Sequence, residues 1–353
     1  MRRADRISAF VEALWDWYAA NKRTLPWRDL SESDPVMRAY KVMVSEIMLQ
    51  QTQVSRVKIM FKDFIDLFPN IESLALASNR EVLLAWRGMG YNSRALRLRD
   101  AARMILKAES CQLSAFRSFP SEVRELRSIP GIGSYTAAAI RNFALGIPTP
   151  CIDTNIRRIL HRTFVGPESP DGTWEKDDGY LLKIADDVLH AALNTEKLLA
   201  FGFQLKAHGI PQDAAQWHAA LMDFGSLVQT KRNPRWDICP LTAKGIMKTT
   251  LRSFEQRALS SKSGSKLTAH SLKLEPGRYV GSRFVPNRIF RGKVVEELRD
   301  AKQLSLDDIG RRICLDWSPR EHRKWLRGIL DKLEKDRMLK KQGGTYAMSE
   351  DDE

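Results

Sequence analysis

Residues 126–140 read Leu-Arg-Ser-Ile-Pro-Gly-Ile-Gly-Ser-Tyr-Thr-Ala-Ala-Ala-Ile, and no other stretch constrains the fold so tightly. Pro130 cannot continue an α-helix, because it lacks an N–H and its ring clashes with the preceding turn. Gly131 and Gly133 accept backbone angles that other residues avoid, so the chain can reverse within a few residues. Apolar helical spacing resumes at Tyr135. The pattern therefore predicts helix, tight hairpin, helix, with the N–H groups that open the second helix bare towards an anion. About twenty residues beyond the hairpin, Cys151-Ile-Asp-Thr-Asn-Ile-Arg-Arg158 sets Asp153 between apolar residues and an arginine pair. That is the setting expected for a carboxylate held near a polyanion.

Charge points the same way. The 353 residues carry 57 Lys and Arg against 43 Asp and Glu, a net charge of +14, which favours a polyanionic partner through counterion release and steering, while solubility accounts for part of it. The length leaves room for two or three domains with their own cores. No stretch approaches the ~20 apolar residues of a membrane span, and Met1-Arg-Arg-Ala-Asp5 lacks a following apolar run, so a cytoplasmic chain is expected. Cys111, Cys151, Cys239 and Cys314 are scattered. Their spacing indicates neither a disulfide framework nor a zinc site.

Helical periodicity dominates up to about residue 258: the spacing predicts helices over 7–20, 41–61, 81–86, 95–108, 122–129, 135–145 and 154–164. Strand signals are absent there, and the short loops carry Pro, Gly, Asn or Ser, which favours a compact helical body over a repeat array. Composition then shifts at Leu259-Ser-Ser-Lys-Ser-Gly-Ser-Lys266. We place a linker over 259–285. Beyond it, 292–302, 305–314 and 319–337 read as three helices, with Ser305 and Ser318 as N-caps, and 338–348 as a hairpin turning on Gly343-Gly344. Three helices and a two-stranded wing make a winged-helix-like domain over 286–353. Residues 260–353 hold 21 Lys and Arg against 15 Asp and Glu, and Arg320, Arg323, Lys324 and Arg327 share a face of the third helix, which could enter a major groove.

Five segments together carry a family resemblance: Arg23-Thr-Leu-Pro-Trp-Arg28, Ser45-Glu-Ile-Met-Leu-Gln-Gln-Thr-Gln-Val54, Gly88-Met-Gly-Tyr91, Pro130-Gly-Ile-Gly-Ser-Tyr-Thr136 and Ile152-Asp-Thr-Asn155. In order and spacing, residues of roughly 10 to 250 resemble the MutY-type adenine glycosylases of the helix-hairpin-helix DNA glycosylase superfamily. The resemblance implies a mainly α, two-lobed body: a helical barrel with the hairpin over 31–149, and a second helical lobe from 1–30 plus 150–258. A target base is swung out of the stack into the body. It implies a monomer acting on double-stranded DNA that contains a mismatch or lesion, nucleoid-associated if the source is bacterial.

Cleaving an N-glycosidic bond asks for an acid to protonate the departing base and an anion to stabilise the cationic sugar. Two carboxylates in unlike surroundings suffice. Glu46 lies in the apolar Val44-Ser-Glu-Ile-Met-Leu49, where desolvation favours a neutral donor, and Asp153 precedes a helix, whose dipole favours the anion. Taken singly, a helix-surface Glu and an Asp N-cap are the simpler readings. The resemblance assigns Glu46 as general acid, Asp153 as the carboxylate at the sugar carbon, Asn155 as an aligning group and Tyr135 as a hydroxyl touching acid and intermediate. A phenol rather than a lysine amine at 135 implies a monofunctional enzyme with water as final nucleophile. The base pocket falls to Arg23, Trp27, Arg28 and Leu49. DNA contacts fall to Gln50, Gln51, Thr52, Met89, the wedge Tyr91, Gly131, Gly133, Ser134, Arg157, Lys231 and Arg232, and in the tail to Arg320, Arg323 and Lys324. Hairpin carbonyls binding a monovalent cation are a further implication.

Three departures stand out. The family's four-cysteine iron–sulfur loop aligns with Gln229, Trp236, Cys239 and Gly245, so no [4Fe–4S] cluster, and no metal or other cofactor for catalysis, is expected. Apolar packing of Trp236 and Ile238 is expected to hold the loop instead. Ala219 stands where the family has a residue reaching the adenine edge, with His218 as a stand-in. The tail lacks the strand series with which the family senses 8-oxoguanine. Adenine opposite guanine or 8-oxoguanine is the expected target; thymine or uracil mispaired with guanine or another modified base, and a DNA-binding protein without catalysis, are the alternatives.

Overall fold

A computed structural model describes residues 1–28, 31–110, 119–169, 173–193, 213–255 and 275–350, with side chains described outside 108–110 and 213. In chain order the helices are α1 (Arg3–Asn21), α2 (Pro35–Leu49), α3 (Val54–Leu67), α4 (Ile71–Leu76), α5 (Asn79–Ala85), α6 (Ser93–Ser110), α7 (Val123–Ser128), α8 (Ser134–Phe143) and α9 (Thr154–Leu160), which runs into a π-helical turn over His161–Val165. Then come α10 (Asp178–Ala192), α11 (Asp213–Leu227) and α12 (Pro240–Ala243). The C-terminal elements are β1 (Gly277–Val280), β2 (Arg283–Pro286), α13 (Asn287–Asp300), β3 (Leu304–Ser305), α14 (Leu306–Ile313), α15 (Pro319–Lys335), β4 (Leu339–Gln342) and β5 (Thr345–Met348). No helix among the described residues is long and apolar enough to cross a membrane.

The chain divides into two compact units. The first comprises residues 1–43, 120–128 and 132–268. Its core gathers the aromatic face of α1 with α9, α10 and α11: Phe10 meets Phe164 and Trp217 edge-on at ring centroid distances of 5.4 and 6.0 Å, and Trp17 meets Phe224 at 5.1 Å. Such edge-to-face pairs add to the burial of the rings themselves. Gly225 lets α11 approach α9, since a Cβ there would lie 2.6 Å from Asn155 Cβ.

The second unit joins residues 44–119 and 129–131 to the C-terminal segment from 269 onward. The expected grouping of 31–149 as one lobe therefore differs from the observed one, in which 31–43, 120–128 and 132–149 belong to the first unit. Around Trp86, Phe64 stacks edge-on at 5.7 Å within the second unit's helical part. The predicted continuous helix over 41–61 is instead α2 and α3, broken at residues 50–53, where Gln51 adopts φ 58°. Helical apolar spacing holds on both sides of the short polar stretch Gln50-Gln-Thr-Gln53, which is why periodicity alone joined them.

The C-terminal part folds as three helices with an antiparallel sheet of order β3-β5-β4, in register Leu304↔Tyr346 and Leu339↔Met348. Ser305 caps α14 by accepting from Asp308 N–H at 3.1 Å. Ser318 does not cap with its side chain; its own N–H donates to His322 Nδ1 and Pro319 opens α15. The linker reading is corrected at its end, because β1 and β2 form a hairpin within 277–286; its stretch over 259–274 lies outside the described residues. Arg278 fastens this hairpin to the helices, lying 4.9 Å over the Trp325 ring and donating to His322 and Asp316.

Candidate active site

Asp153 stands at the N-cap of α9. Its Oδ1 accepts from Ile156 N–H at 2.6 Å and its Oδ2 from Asn155 Nδ2 at 3.1 Å. Asn155 Oδ1 in turn accepts from Arg158 at 2.6 Å, and the same guanidinium nitrogen donates to Gly225 O at 3.0 Å. The carboxylate is thus aimed by a chain of fixed donors rooted in α9 and α11. Burial pushes its pKa up, against the Ile156 and Asn155 hydrogen bonds and the Arg158 charge, which pull it down. The expectation that the helix end dominates is corrected: desolvation is the larger effect. Tyr135, on the first turn of α8, is half-buried against the same core, with its hydroxyl 3.9 Å from Met222 Sδ.

A second cluster lies in the same unit. Asp223 on α11 is fully buried and takes Arg23 through its backbone N–H at 3.0 Å and its Nε at 2.8 Å, and Arg28 at 2.8 Å. Arg23 and Arg28, expected to touch a base, spend these donors on Asp223. Beside them an open cavity of about 420 Å³, solvent at its mouth included, is lined by Tyr18, Trp27, Arg28, Phe143, Gln216 and Ala219 among others. Trp27 and Ala219 are where a pocket wall was expected. His218 cannot replace the missing reader: its Nδ1 bonds the Ala214 carbonyl at 2.8 Å, its Nε2 lies 3.5 Å from Asn142 Nδ2, and burial pulls its pKa down to about 4, so the ring is neutral. Glu46 and Leu49 lie on the part of α2 that belongs to the second unit; Glu46 is buried.

In the second unit the loop 50–52 and the turn 88–91 share one residue. Gln51 and Tyr91 have φ of 58° and 46°, a left-handed backbone that costs non-glycine residues energy, and with Arg337 they are the only such non-glycine positions among the described residues. Gly88 and Gly90, at φ 82° and 66°, make the turn. The buried Arg94 binds both segments: it donates to Ile47 O, Met48 O and Gln50 O on one side, to Met89 O at 3.2 Å and Gly90 O at 3.1 Å on the other, and to Thr52 Oγ1 at 3.0 Å between them. Burial lowers its pKa to about 10, still charged at neutrality. Its guanidinium lies 5.6 Å over the Tyr91 ring, whose side chain is otherwise half exposed. Sequence reading missed Arg94. An arginine followed directly by apolar positions, as in Arg94-Ala-Leu96, is the available signal.

The remaining contacts divide. Gln50 and Thr52 are half-buried, and Gln51, Gly131, Gly133, Ser134, Lys231, Arg232, Arg320 and Lys324 are exposed. Met89 is buried and is corrected from a DNA contact to a core residue. Arg157 pairs with Asp178 and Arg323 with Asp307, so both charges are met within the protein.

In the loop over 229–245, Gln229 Nε2 donates to Cys239 Sγ at 3.3 Å, and Cys239 Sγ lies 3.8 Å from Met247 Sδ. Arg162 bonds Gln229, Thr230 O and Glu168 and lies over the rings of Trp236 and Phe254 at 5.9 and 5.0 Å. One thiol among amide, thioether and guanidinium groups does not fit a four-thiolate cluster. Ile238, expected to pack here, is exposed; the arginine between two rings does the work.

With this geometry in hand, the HhH-GPD superfamily base excision DNA repair protein family matches residues 44–176. An adenine DNA glycosylase of Mycolicibacterium smegmatis is 36% identical over 232 residues, 65% of this chain and 66% of that one. The chain belongs to the HhH-GPD superfamily. A human adenine DNA glycosylase is 32% identical over 266 residues, 75% of this chain and 44% of that one, and one from Mycobacterium tuberculosis is 33% identical over 225, 64% and 63%. The chain thus spans between 44% and 66% of these relatives' lengths. A thermostable thymine-DNA glycosylase superposes with TM-score 0.54 at 21% identity over 72% of this chain and 98% of that one. An endonuclease III in a trapped covalent complex with DNA does so at 0.50 and 15%, over 73% and 100%. These two establish the fold of the superfamily: helical, as the sequence led us to expect.

Proposed function

We propose that the protein is a monofunctional DNA glycosylase that removes adenine opposite guanine or 8-oxoguanine in base excision repair, acting as a monomer on duplex DNA. The observation that carries this is the Asp153 site: a half-buried carboxylate aimed by Asn155, Arg158 and the start of α9, in the same unit as a helix whose first turn presents a tyrosine and no amine. Asp153 stabilises the positive charge that grows on the sugar as the base leaves. Glu46, buried on α2, donates the proton that makes the base a leaving group. Water attacks the sugar carbon, because position 135 supplies no nucleophilic nitrogen. Adenine is favoured by the relatives' names together with Gln50, Gln51, Thr52 and Trp27. Ala219 in the cavity wall, with His218 neutral and engaged, favours a second reading in which thymine or uracil opposite guanine is taken.

The C-terminal three-helix part with its wing is read as a winged helix that grips duplex DNA through Arg320 and Lys324. Catalysis is read as needing no cofactor and the loop over 229–245 as cluster-free, a reading supported by the Gln229, Cys239 and Met247 contacts.

Single-turnover excision from duplexes holding A·8-oxoG, A·G, T·G and U·G tests the proposal. Release of adenine with an unmodified abasic product is expected. Adenine left intact while thymine or uracil is released overturns the assignment of the base; a borohydride-trapped covalent complex overturns the mechanism; tight binding with no base released from any duplex leaves a DNA-binding protein without catalysis.

A further inference from the structure

The C-terminal part does not hang from the body by its linker alone. It packs on residues 79–100 of the same unit through contacts that converge on the turn carrying Tyr91. Arg299, on the last turn of α13, is buried and donates to Leu83 O from Nε at 3.2 Å and Nη2 at 3.0 Å, and from Nη2 to Asn92 Oδ1 at 3.3 Å. Asn92 is the residue after Tyr91 and is itself buried. From the first turn of α13, Arg288 donates to the Tyr91 hydroxyl at 3.2 Å. Arg87, one residue before the turn, forms a bidentate pair with Asp300 at 3.0 and 2.7 Å and a further one with Glu296 at 2.5 Å. The far end is fastened as well: Asn79 donates through its side chain to Ser349 Oγ and through its backbone to Glu350 O, each at 3.1 Å.

A turn with φ of +46° at a tyrosine holds its shape only when neighbours over-determine it. Arg94 does this from within the helical part and α13 does it from the C-terminal part. We propose that the C-terminal part is a working component of base extrusion: Arg299 is a positioning residue that fixes Asn92, and with it the strained turn that drives Tyr91 between base steps, while Arg288 sets the tilt of the Tyr91 ring through its hydroxyl. This rests on the glycosylase reading above for the statement that a base must leave the stack and for Tyr91 as the wedge; it adds that the tail, besides gripping phosphate, shapes the tool that pries the base loose. A misplaced wedge loses the energy of insertion without altering the chemistry that follows.

The test uses the full chain and a duplex with 2-aminopurine next to the target, whose fluorescence rises when the target unstacks, together with excision from two substrates: one with the target base paired, and one with it opposite an abasic site, where there is no pairing to break. Arg299→Ala is expected to lose the fluorescence rise and to slow excision of the paired target by about 10-fold or more, with the unpaired target within about two-fold of the parent. Arg299→Lys, keeping one donor for Leu83 O, recovers part of the loss. Arg288→Ala, at an exposed position that does not threaten folding, gives the same pattern more weakly, by about three-fold. Equal losses on both substrates, or no change in fluorescence with either variant, overturn the proposal. A parent protein that raises the fluorescence yet releases no base from any duplex overturns the glycosylase reading and leaves this one standing.

Discussion

The carboxylate site around Asp153 and the two segments tied by Arg94 are built in opposite ways. Around Asp153 every angle is regular: the residue is an ordinary N-cap, its partners sit on α9 and α11, and the tension is electrostatic, a charge held where burial disfavours it. Around Arg94 the tension is in the backbone: Gln51 and Tyr91 are in left-handed conformations, and one buried guanidinium, whose two terminal nitrogens donate to carbonyls on both sides, keeps them there. The difference assigns labour. On the proposed function, the group that stabilises charge sits on a rigid helix end, where a fraction of an ångström matters, and the groups that enter the stack sit on turns that a cation holds in shape.

Several substitutions sharpen or break that contrast. The largest effect is expected for Asp153→Asn, which keeps the cap because Asn caps as well as Asp and removes the anion. Single-turnover excision should fall by about 10³-fold, with duplex affinity by fluorescence anisotropy unchanged. Arg94→Met should unfasten both segments and leave buried carbonyls unpaired, lowering stability by about 3 kcal/mol in urea and weakening insertion together. Gly225→Ala, with its new methyl 2.6 Å from Asn155 Cβ, should shift Asn155 and slow excision by about 10-fold while leaving 2-aminopurine unstacking intact. The smallest effect is expected for Ala219→Gln, which restores an amide to the cavity wall and should raise discrimination for adenine over other bases by about 1–3 kcal/mol in competition assays.

The pH dependence follows from burial. The Asp153 pKa is raised in the folded state, so the folded state favours the protonated form. That contribution to stability is present below the ordinary aspartate range and is lost as pH rises through the raised value. Two outcomes are expected. The acid limb of excision lies above the ordinary aspartate pKa, and Asp153→Asn raises the Tm at neutral pH but not in acid. A limb at or below the ordinary value, or a Tm gain in acid as large as at neutrality, contradicts the account of the site.

Much of this was legible in the chain. Pro130, Gly131 and Gly133 announce the hairpin, and Gly88 and Gly90 announce the turn before Tyr91, because glycine and proline act through local backbone sterics. Asp153 announces itself because an Asp before a helical run is a local signal. What was not legible depends on contacts remote in sequence. Arg94 and Arg299 read as ordinary helix charges, and only packing shows that each is buried on carbonyls. Arg23 and Arg28 read as base contacts, and nothing in the sequence shows that Asp223, some 200 residues away, takes donors from both while Arg28 also lines the cavity. The break at 50–53 escaped periodicity because apolar spacing is helical on both sides of a short polar stretch, and the 277–286 hairpin escaped because four-residue strands carry little pattern.

The division of labour is tested most directly by measuring excision from paired and already unpaired targets for Asp153→Asn and Arg94→Met side by side. Asp153→Asn is expected to fail on both substrates, and Arg94→Met to fail on the paired one while retaining turnover on the unpaired one. If the two variants lose paired and unpaired turnover in the same ratio, chemistry and insertion are not separate devices in this protein.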